Sequence, residues 1–523
     1  MNKNFELVSQ ATGKPQVDNL VRELLSSDQS ADNLLEITYL LLTEKEGYEY
    51  QARKVFQRCL EVNPQYTKQA IALTNIPKVA SNIDACKGLL TTALQYSPNS
   101  IEITNCLACL LTRCGEFKQA EQLFCTILEH NKHDYRVLIN LCDLYYRINR
   151  NHEAIACAQL AVELAPNEVA ANFNCAIALI GSARYTEAVT FLEKTLALDP
   201  NNDSAILNLS NLLLKSGNFE KGWTYAKQRW SETNCKYKIP LPFWRGESLT
   251  KKGLIIWHDR GLGDQIMYAG LFQRLLDTGC HLGVICDKRL ENIYRDSFKI
   301  DNIYSHNEGD PLDLNIQGNY HYHTSMGTLP AYLLHSFADF DSSNPYLIAD
   351  DKQSQLFKKE FQSKFPDKKV IGFSWRGGIK STRKHARDTG LNNWQKLLSN
   401  PDYQFINLQY DSTLEENRVI ENMGGYIPNF DCKNDIDSLA ALLKALDLVI
   451  SADNTTVHLA GALGVPIWTL APYSSDWRWF FEVEKTYWYQ SMMLIHQTDI
   501  SDWTNTFCIV EEKMNKLINQ GLT

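Results

Sequence analysis

Apolar positions along this chain follow two successive patterns. Up to roughly residue 230 they recur at helical spacing, as in Leu107, Leu110 and Leu111. Beyond about residue 240 they gather into short strand-like runs, several of them followed by a helical stretch. The helical part also repeats at long range. Pro64, Pro98, Pro166 and Pro200 lie 34, 68 and 34 residues apart, with Lys132 at the missing position. Each proline closes a similar phrase, such as Glu61-Val-Asn-Pro64 or Glu163-Leu-Ala-Pro166. Two further registers share the 34-residue step: Gly115, Asn149, Ala183 and Gly217, and then Ala52, Cys86, Ala120, Ala154, Ala188 and Gly222. Small residues at that spacing predict helices that cross closely. The prolines predict where each second helix stops, because proline cannot continue it.

The phrases Gly115-Glu-Phe117-Lys-Gln-Ala120 and Ala183-Arg-Tyr185-Thr-Glu-Ala188 resemble the tetratricopeptide repeat. One helical hairpin cannot bury its own apolar face, so neighbours stack into a solenoid with a shared core. About five to six repeats are expected over residues 35–235, behind a helical cap at 1–34. Such an array is expected to carry a protein or peptide partner.

The segment Ile239-Pro-Leu-Pro-Phe-Trp-Arg-Gly246 breaks the helical period with two prolines and a glycine. After it, strands are predicted at 254–257, 281–286, 369–375, 403–409, 448–451 and 466–470, and helices at 265–276, 437–446 and 456–463. This alternation predicts parallel sheets with helices on both faces, and ligands beyond the carboxyl ends of their strands. There is chain enough for two lobes, 236–365 and 366–500, and a closing helix at 501–523. The expected fold class is α + α/β: a tetratricopeptide solenoid, then two Rossmann-like lobes.

Composition narrows function only at the edges. A net charge of -9 argues against a nucleic-acid partner, which would call for a basic excess. No apolar run reaches ~18 residues, so no membrane span is expected. Residues 1–15 lack a signal peptide's apolar core, so a cytoplasmic location with reduced thiols is expected. Nine of the 14 cysteines fall between Cys59 and Cys175. Cys106 and Cys109 form a C-x-x-C without a second ligand pair and read, with Cys114, as small core residues. Asp339-Phe-Asp341 has the form of a metal-binding D-x-D but lies in a loop before Asn344-Pro345, away from the blocks that carry chemistry, and His321-Tyr-His323 has the form of a zinc pair but no further ligand at suitable spacing. No metal or cofactor is expected.

The chemistry concentrates in Ser451-Ala-Asp453-Asn-Thr455-Thr456-Val-His458, continued by Gly461, Gly464 and Pro466. A buried strand ends at Asp453. Asn454, Thr455 and Thr456 then open a helix whose free N–H groups and dipole would attract a phosphate, with His458 one turn along. Two earlier blocks complement it: the turn Gly261-Leu-Gly263-Asp264, and the loop Trp375-Arg376-Gly377-Gly378.

These blocks, with Leu470-Ala-Pro-Tyr-Ser-Ser-Asp476-Trp477-Arg478-Trp479, resemble the bacterial heptosyltransferase-like glycosyltransferases, and especially their tetratricopeptide-linked relatives. The resemblance spans roughly residues 240–500. It departs at Asp259-Arg260, where relatives often carry Glu-Gln, and at Asn454, where a Thr is common. It implies the two-lobed GT-B fold, a nucleotide-sugar donor on the second lobe, and metal-independent transfer with inversion. By the same resemblance Asp264 is the catalytic base, with His258 as the other candidate. Donor contacts are expected from Gly263, Trp375, Arg376, Gly377, Gly378, Arg387, Gln409, Asp453, Asn454, Thr455, Thr456 and His458, with Lys380 and Arg383 in the same basic run as Arg387. The expected acceptor is a protein hydroxyl, flagellin-like, brought in by the repeats. A lipid-linked or surface glycan is the alternative acceptor, and a non-catalytic scaffold the alternative role.

Overall fold

The computed structural model describes every residue except 1–6, 9–13, 45–46, 230–236, 238, 260, 307–315, 317, 341–344, 378–383, 482, 501 and 521–523. By contacts the chain divides into two compact units, Met1–Ala178 and Leu179–Thr523. The helix Val169–Gly181 runs across the division.

The first unit is all helical. After Lys14–Ser26 come the hairpins Ala31–Thr43 with Glu49–Val62, Ile101–Cys114 with Phe117–His130, and Tyr135–Arg147 with Asn151–Leu164. Between the first two of these, the expected leading helix is split into Gln69–Thr74 and Pro77–Ala80, before Ile83–Tyr96. Pro77 forces the break, because Ile76 before it is extended. Pro64, Pro98 and Pro166 each stand just past a helix end, as expected.

The two small-residue registers have different causes. Ala52, Cys86, Ala120 and Ala154 are buried where helices cross. Gly115 and Asn149 instead have φ of 83° and 59°, and in the second unit Ala183 and Gly217 have 56° and 78°. That register marks the left-handed residue that turns one helix into the next, not a helix crossing.

The second unit starts with the last hairpins, Tyr185–Leu198 and then Asp203–Lys215 with Phe219–Arg229. At Gly222 an added Cβ would lie 2.6 Å from Leu214 Cδ2, so these last two helices need a glycine to close. Two parallel sheets follow. The first runs β3-β2-β1-β4, from β1 (Gly253–Trp257), β2 (His281–Asp287), β3 (Asn302–His306) and β4 (Tyr322–Ser325). The second runs β6-β5-β7-β8-β9, from β5 (Lys369–Ser374), β6 (Tyr403–Asn407), β7 (Leu448–Ala452), β8 (Ile467–Ala471) and β9 (Met492–His496). Both sheets reverse strand order once, between β1 and β4 and between β5 and β7, and such switch points open crevices at the carboxyl ends. Strands β3, β4 and β9 were not among those predicted.

Alternate strand residues feed opposite faces. Val449 and Ile467 join the large core shared with the first sheet, while Ile450 and Trp468 join a core covered by the helix Thr504–Gln520. The helix expected at 265–276 is two helices, Leu262–Ala269 and Phe272–Asp277. Tyr346 explains the break: its hydroxyl donates to Ile266 O at 2.9 Å, and its ring packs where a Cβ on Gly270 would sit.

The last hairpin is joined to both lobes by aromatic packing. Trp223 donates its indole N–H to Leu334 O at 2.5 Å and meets Trp477 edge-on at 5.5 Å. Phe219 meets Phe337 at 5.1 Å and Phe480 at 6.2 Å. No helix among the described residues is long and apolar enough to cross a membrane.

Candidate functional site

The carboxyl ends of β1 and β7 face each other across the lobes. Gly261 caps the helix Leu262–Ala269, and Gly263 lies against the opposing helix Thr455–Ala462. A Cβ on Gly263 would come within 2.8 Å of His458 Cδ2 and 3.5 Å of Thr455 Cα, so this position requires a glycine for lobe contact. Asp264, in the first turn of its helix, reaches Arg478 of the other lobe with Oδ1 2.8 Å from Nη2.

Arg478 is the hub of the cluster. Its side chain is 11% exposed. It donates from Nε to Asp476 Oδ1 at 3.1 Å and from Nη1 to His458 Nε2 at 3.3 Å. A guanidinium only donates, so His458 accepts at Nε2 and carries its proton on Nδ1, which donates to Tyr489 Oη at 3.0 Å. Burial, and next the Arg478 charge, hold the imidazole neutral by pushing its pKa well down. His458, expected as a phosphate contact, therefore has both ring nitrogens committed within the protein, Nε2 to Arg478 and Nδ1 to Tyr489.

Asp453 ends β7 in a fully buried position. Burial pushes its carboxyl up, opposed by Arg387 and Arg478. Arg387 lies half-buried in the turn Lys384–Arg387. Asn454 is the N-cap of Thr455–Ala462, its Oδ1 accepting from Thr456 N at 2.9 Å. That N–H was expected to be open to a phosphate and is instead used within the chain. Asn454 Nδ2 also donates to Ser374 Oγ at 2.8 Å and Arg376 O at 3.0 Å. Thr455 is the partly exposed member of the pair, and Thr456 is buried.

The loop after β5 differs from expectation. Trp375 is a core residue at 1% exposure. The Arg376 guanidinium is engaged by Glu416 and by Asp411, with Nε 3.1 Å from Asp411 Oδ1, so carboxylates of its own lobe hold it rather than an open phosphate pocket. A Cβ on Gly377 would meet Asn454 Cβ at 2.6 Å and Asp453 O at 2.8 Å, so this glycine admits neighbouring chain. Gln409 Oε1 clamps the loop, accepting from Ser374 Oγ, Trp375 N and Arg376 N at 2.8, 3.1 and 3.0 Å. Gly378, Lys380 and Arg383 lie outside the described residues, as do Arg260 and Asp341.

His258, at the end of β1, sits in a polar knot. Gln265 Oε1 accepts from Asp287 N at 3.0 Å, which turns its Nε2 towards His258 Nδ1, 3.4 Å away. His258 Nε2 lies 3.0 Å from Tyr237 Oη and 3.1 Å from His306 Nε2. Both nitrogens are engaged within the protein. Asp339 accepts from Ser336 N at 2.7 Å as part of a capping box. His323 accepts from the Trp257 indole at 3.1 Å within the first sheet. Burial pushes the Cys109 thiol up to about 12, as suits a packing residue.

Sequence reasoning overlooked Lys215 and gave Arg478 no role. Arg478 was visible in the Asp476-Trp-Arg-Trp479 phrase. Lys215 was not: it ends an apolar run on the last hairpin, yet its ammonium donates to Ser475 O at 2.6 Å and Ser475 Oγ at 2.8 Å, beside the same loop.

Parts of the chain are similar to known proteins. Tetratricopeptide repeat profiles match residues 135–168 and 179–222. Protein FlbA of Caulobacter vibrioides is 25% identical over 517 residues, covering 94% of this chain and 85% of its own. Among solved structures, a family 9 glycosyl transferase from Veillonella parvula covers 53% of this chain and 92% of its own, at 13% identity and TM-score 0.37. A tetratricopeptide repeat protein from Parabacteroides merdae covers 38% and 79%, at 19% identity and TM-score 0.32. The chain carries tetratricopeptide repeats and continues into a two-sheet, parallel α/β region.

Proposed function

We propose that this chain is an inverting, heptosyltransferase-like glycosyltransferase. It moves a sugar from a nucleotide donor to a hydroxyl acceptor, and the acceptor is a protein Ser or Thr, flagellin-like, recruited by the repeats. The single observation that carries this reading is the pairing of Asp264 from one lobe with Arg478 from the other, at the carboxyl ends of two parallel sheets. Inverting transfer needs those two functions a bond apart: a carboxylate to take the acceptor proton as the new C–O bond forms, and fixed positive charge for the departing phosphate. Asp264 fills the first role. Arg478, Arg387 and Thr455 surround the second: the two arginines supply charge where a metal would otherwise be needed, and Thr455 supplies a hydroxyl donor.

A repeat hairpin packed on both lobes favours a polypeptide acceptor, because a partner held on that hairpin is then held near the transfer site. The test is a panel of UDP-, GDP-, ADP- and CMP-linked sugars, scored for thermal stabilisation of the full chain and for slow hydrolysis. At least one is expected to bind and be hydrolysed. If none binds, the transferase reading falls. Transfer to a lipid-linked glycan but to no polypeptide would move the acceptor to the alternative class.

A further inference from the structure

Arg478 is engaged by carboxylates before any ligand arrives. Arg478 faces Asp264, Asp476 and Asp453. Arg387 acts on Asp453 and His458. Lys215 acts with Asp476 and Asp453. Among the described residues three cations thus meet three acidic side chains at a buried site, and a diphosphate that takes Arg478 must compete with the carboxylates already there.

The three are not equally movable. Asp476 caps the turn that carries Arg478, accepting from Arg478 N at 3.3 Å. Asp453 ends β7 in the same lobe. Asp264 alone stands on the other lobe. Its Oδ1 lies 2.8 Å from Arg478 Nη2, yet it receives no aligned hydrogen bond among the described residues. The contact is held by charge and is the easiest of the three to exchange.

We infer that Arg478 is the ligand of the donor's diphosphate, and that it is shared in turn with Asp264: donor binding draws the guanidinium from the carboxylate to the phosphate and releases Asp264 to act as base. This rests on the transferase reading and deepens it. In the transfer step the acceptor O–H gives its proton to Asp264. The acceptor oxygen bonds to the anomeric carbon, and the bond from that carbon to phosphate oxygen breaks with its electron pair on the phosphate. Arg478 then neutralises the added charge. Pairing with Asp264 in the free enzyme also keeps the base masked until a donor is present.

The exchange has a signature that a plain structural ion pair lacks. Removing Asp264's charge frees Arg478, so it strengthens diphosphate binding, and only while Arg478 is present. The probe is inorganic pyrophosphate, titrated calorimetrically into the full chain as wild type, Asp264→Asn, Arg478→Gln and the double variant. Asp264→Asn is expected to bind about tenfold more tightly than wild type, Arg478→Gln at least tenfold more weakly, and the double variant no better than Arg478→Gln. If Arg478→Gln fails to fold, Arg478→Lys replaces it, with intermediate binding expected because a point charge lacks the guanidinium fork. The inference is overturned if Asp264→Asn binds no tighter, or if its gain survives loss of Arg478. Such a result beside hydrolysis of a sugar nucleotide by the wild type would remove the exchange alone, whereas failure of every sugar nucleotide to bind would remove the transferase reading with it.

Discussion

Lys215 offers a test of how deeply the last repeat hairpin is built into the α/β unit. The residue is 4% exposed. Its ammonium donates to Ser475 O, Ser475 Oγ and, at 3.3 Å, Tyr185 Oη, and it lies 4.8 Å from the centroid of the Tyr185 ring. Burial lowers its pKa from 10.5 to about 8, against the opposing pull of Asp476 and Asp453. Below about pH 8 both folded and unfolded chains hold the proton, and the desolvated charge weighs against folding by about 3 kcal/mol, at 1.36 kcal/mol per pH unit. Between about pH 8 and 10.5 the unfolded chain binds a proton that the folded chain does not, so this contribution to stability rises with pH. By about pH 9.5 the gain is about 2 kcal/mol. Lys215→Met keeps the length of the side chain and has no proton to lose. The wild-type melting midpoint should therefore rise relative to that of Lys215→Met by about 2–4 °C between neutral pH and about pH 9.5. Other alkaline groups are common to both proteins and cancel in the difference. A gap between the two midpoints that stays constant across this range would show that Lys215 is solvated, and the hairpin's polar contact with the Ser475 loop would have to be abandoned.

Two further predictions concern the lobes. Gly263→Ala places a methyl 2.8 Å from His458 Cδ2, so lobe closure should be blocked and sugar-nucleotide hydrolysis should fall at least tenfold, while Gly261→Ala, whose added carbon has only Asp264 Oδ2 at 3.8 Å, should stay close to wild type. Arg376→Ala strands Asp411 and Glu416 beside each other. It should lower stability by about 1–3 kcal/mol in denaturant titrations, a range kept low because both carboxylates are partly solvated. Arg376 holds the Glu416 carboxyl below its ordinary range, so this stabilisation is present at neutral pH and disappears as pH falls through the depressed value. The wild-type advantage over Arg376→Ala should shrink on acidification, and an advantage that did not change with pH would refute the pairing.

Residues that answer to local geometry were legible in the sequence. The 34-residue registers located the hairpins, because a left-handed turn or a tight crossing imposes its own residue type at its own position. Short apolar runs located six of the nine strands among the described residues of the second unit. What misled was any residue whose partner lies far along the chain. A glycine permits close approach but does not say to what: Gly377 was read as making room for phosphates and makes room for Asp453 and Asn454. An arginine beside glycines reads as an anion ligand, and Arg376 is one, but its anions are Asp411 and Glu416.

The same limit hid the main connection in the molecule. Lys215 bonds to Ser475, Asp476 caps the turn bearing Arg478, and Arg478 pairs with Asp264. These residues belong to the last hairpin, the second lobe and the first lobe. The local period assigned Lys215 to a solenoid whose only expected task was to carry a partner. Contact puts it three residues along the chain from the cation opposite the candidate base, since it bonds Ser475, next to Asp476. The hairpin is therefore part of the site's framework: Lys215 sets a buried positive charge beside Asp476 and Asp453, the first of which also holds Arg478.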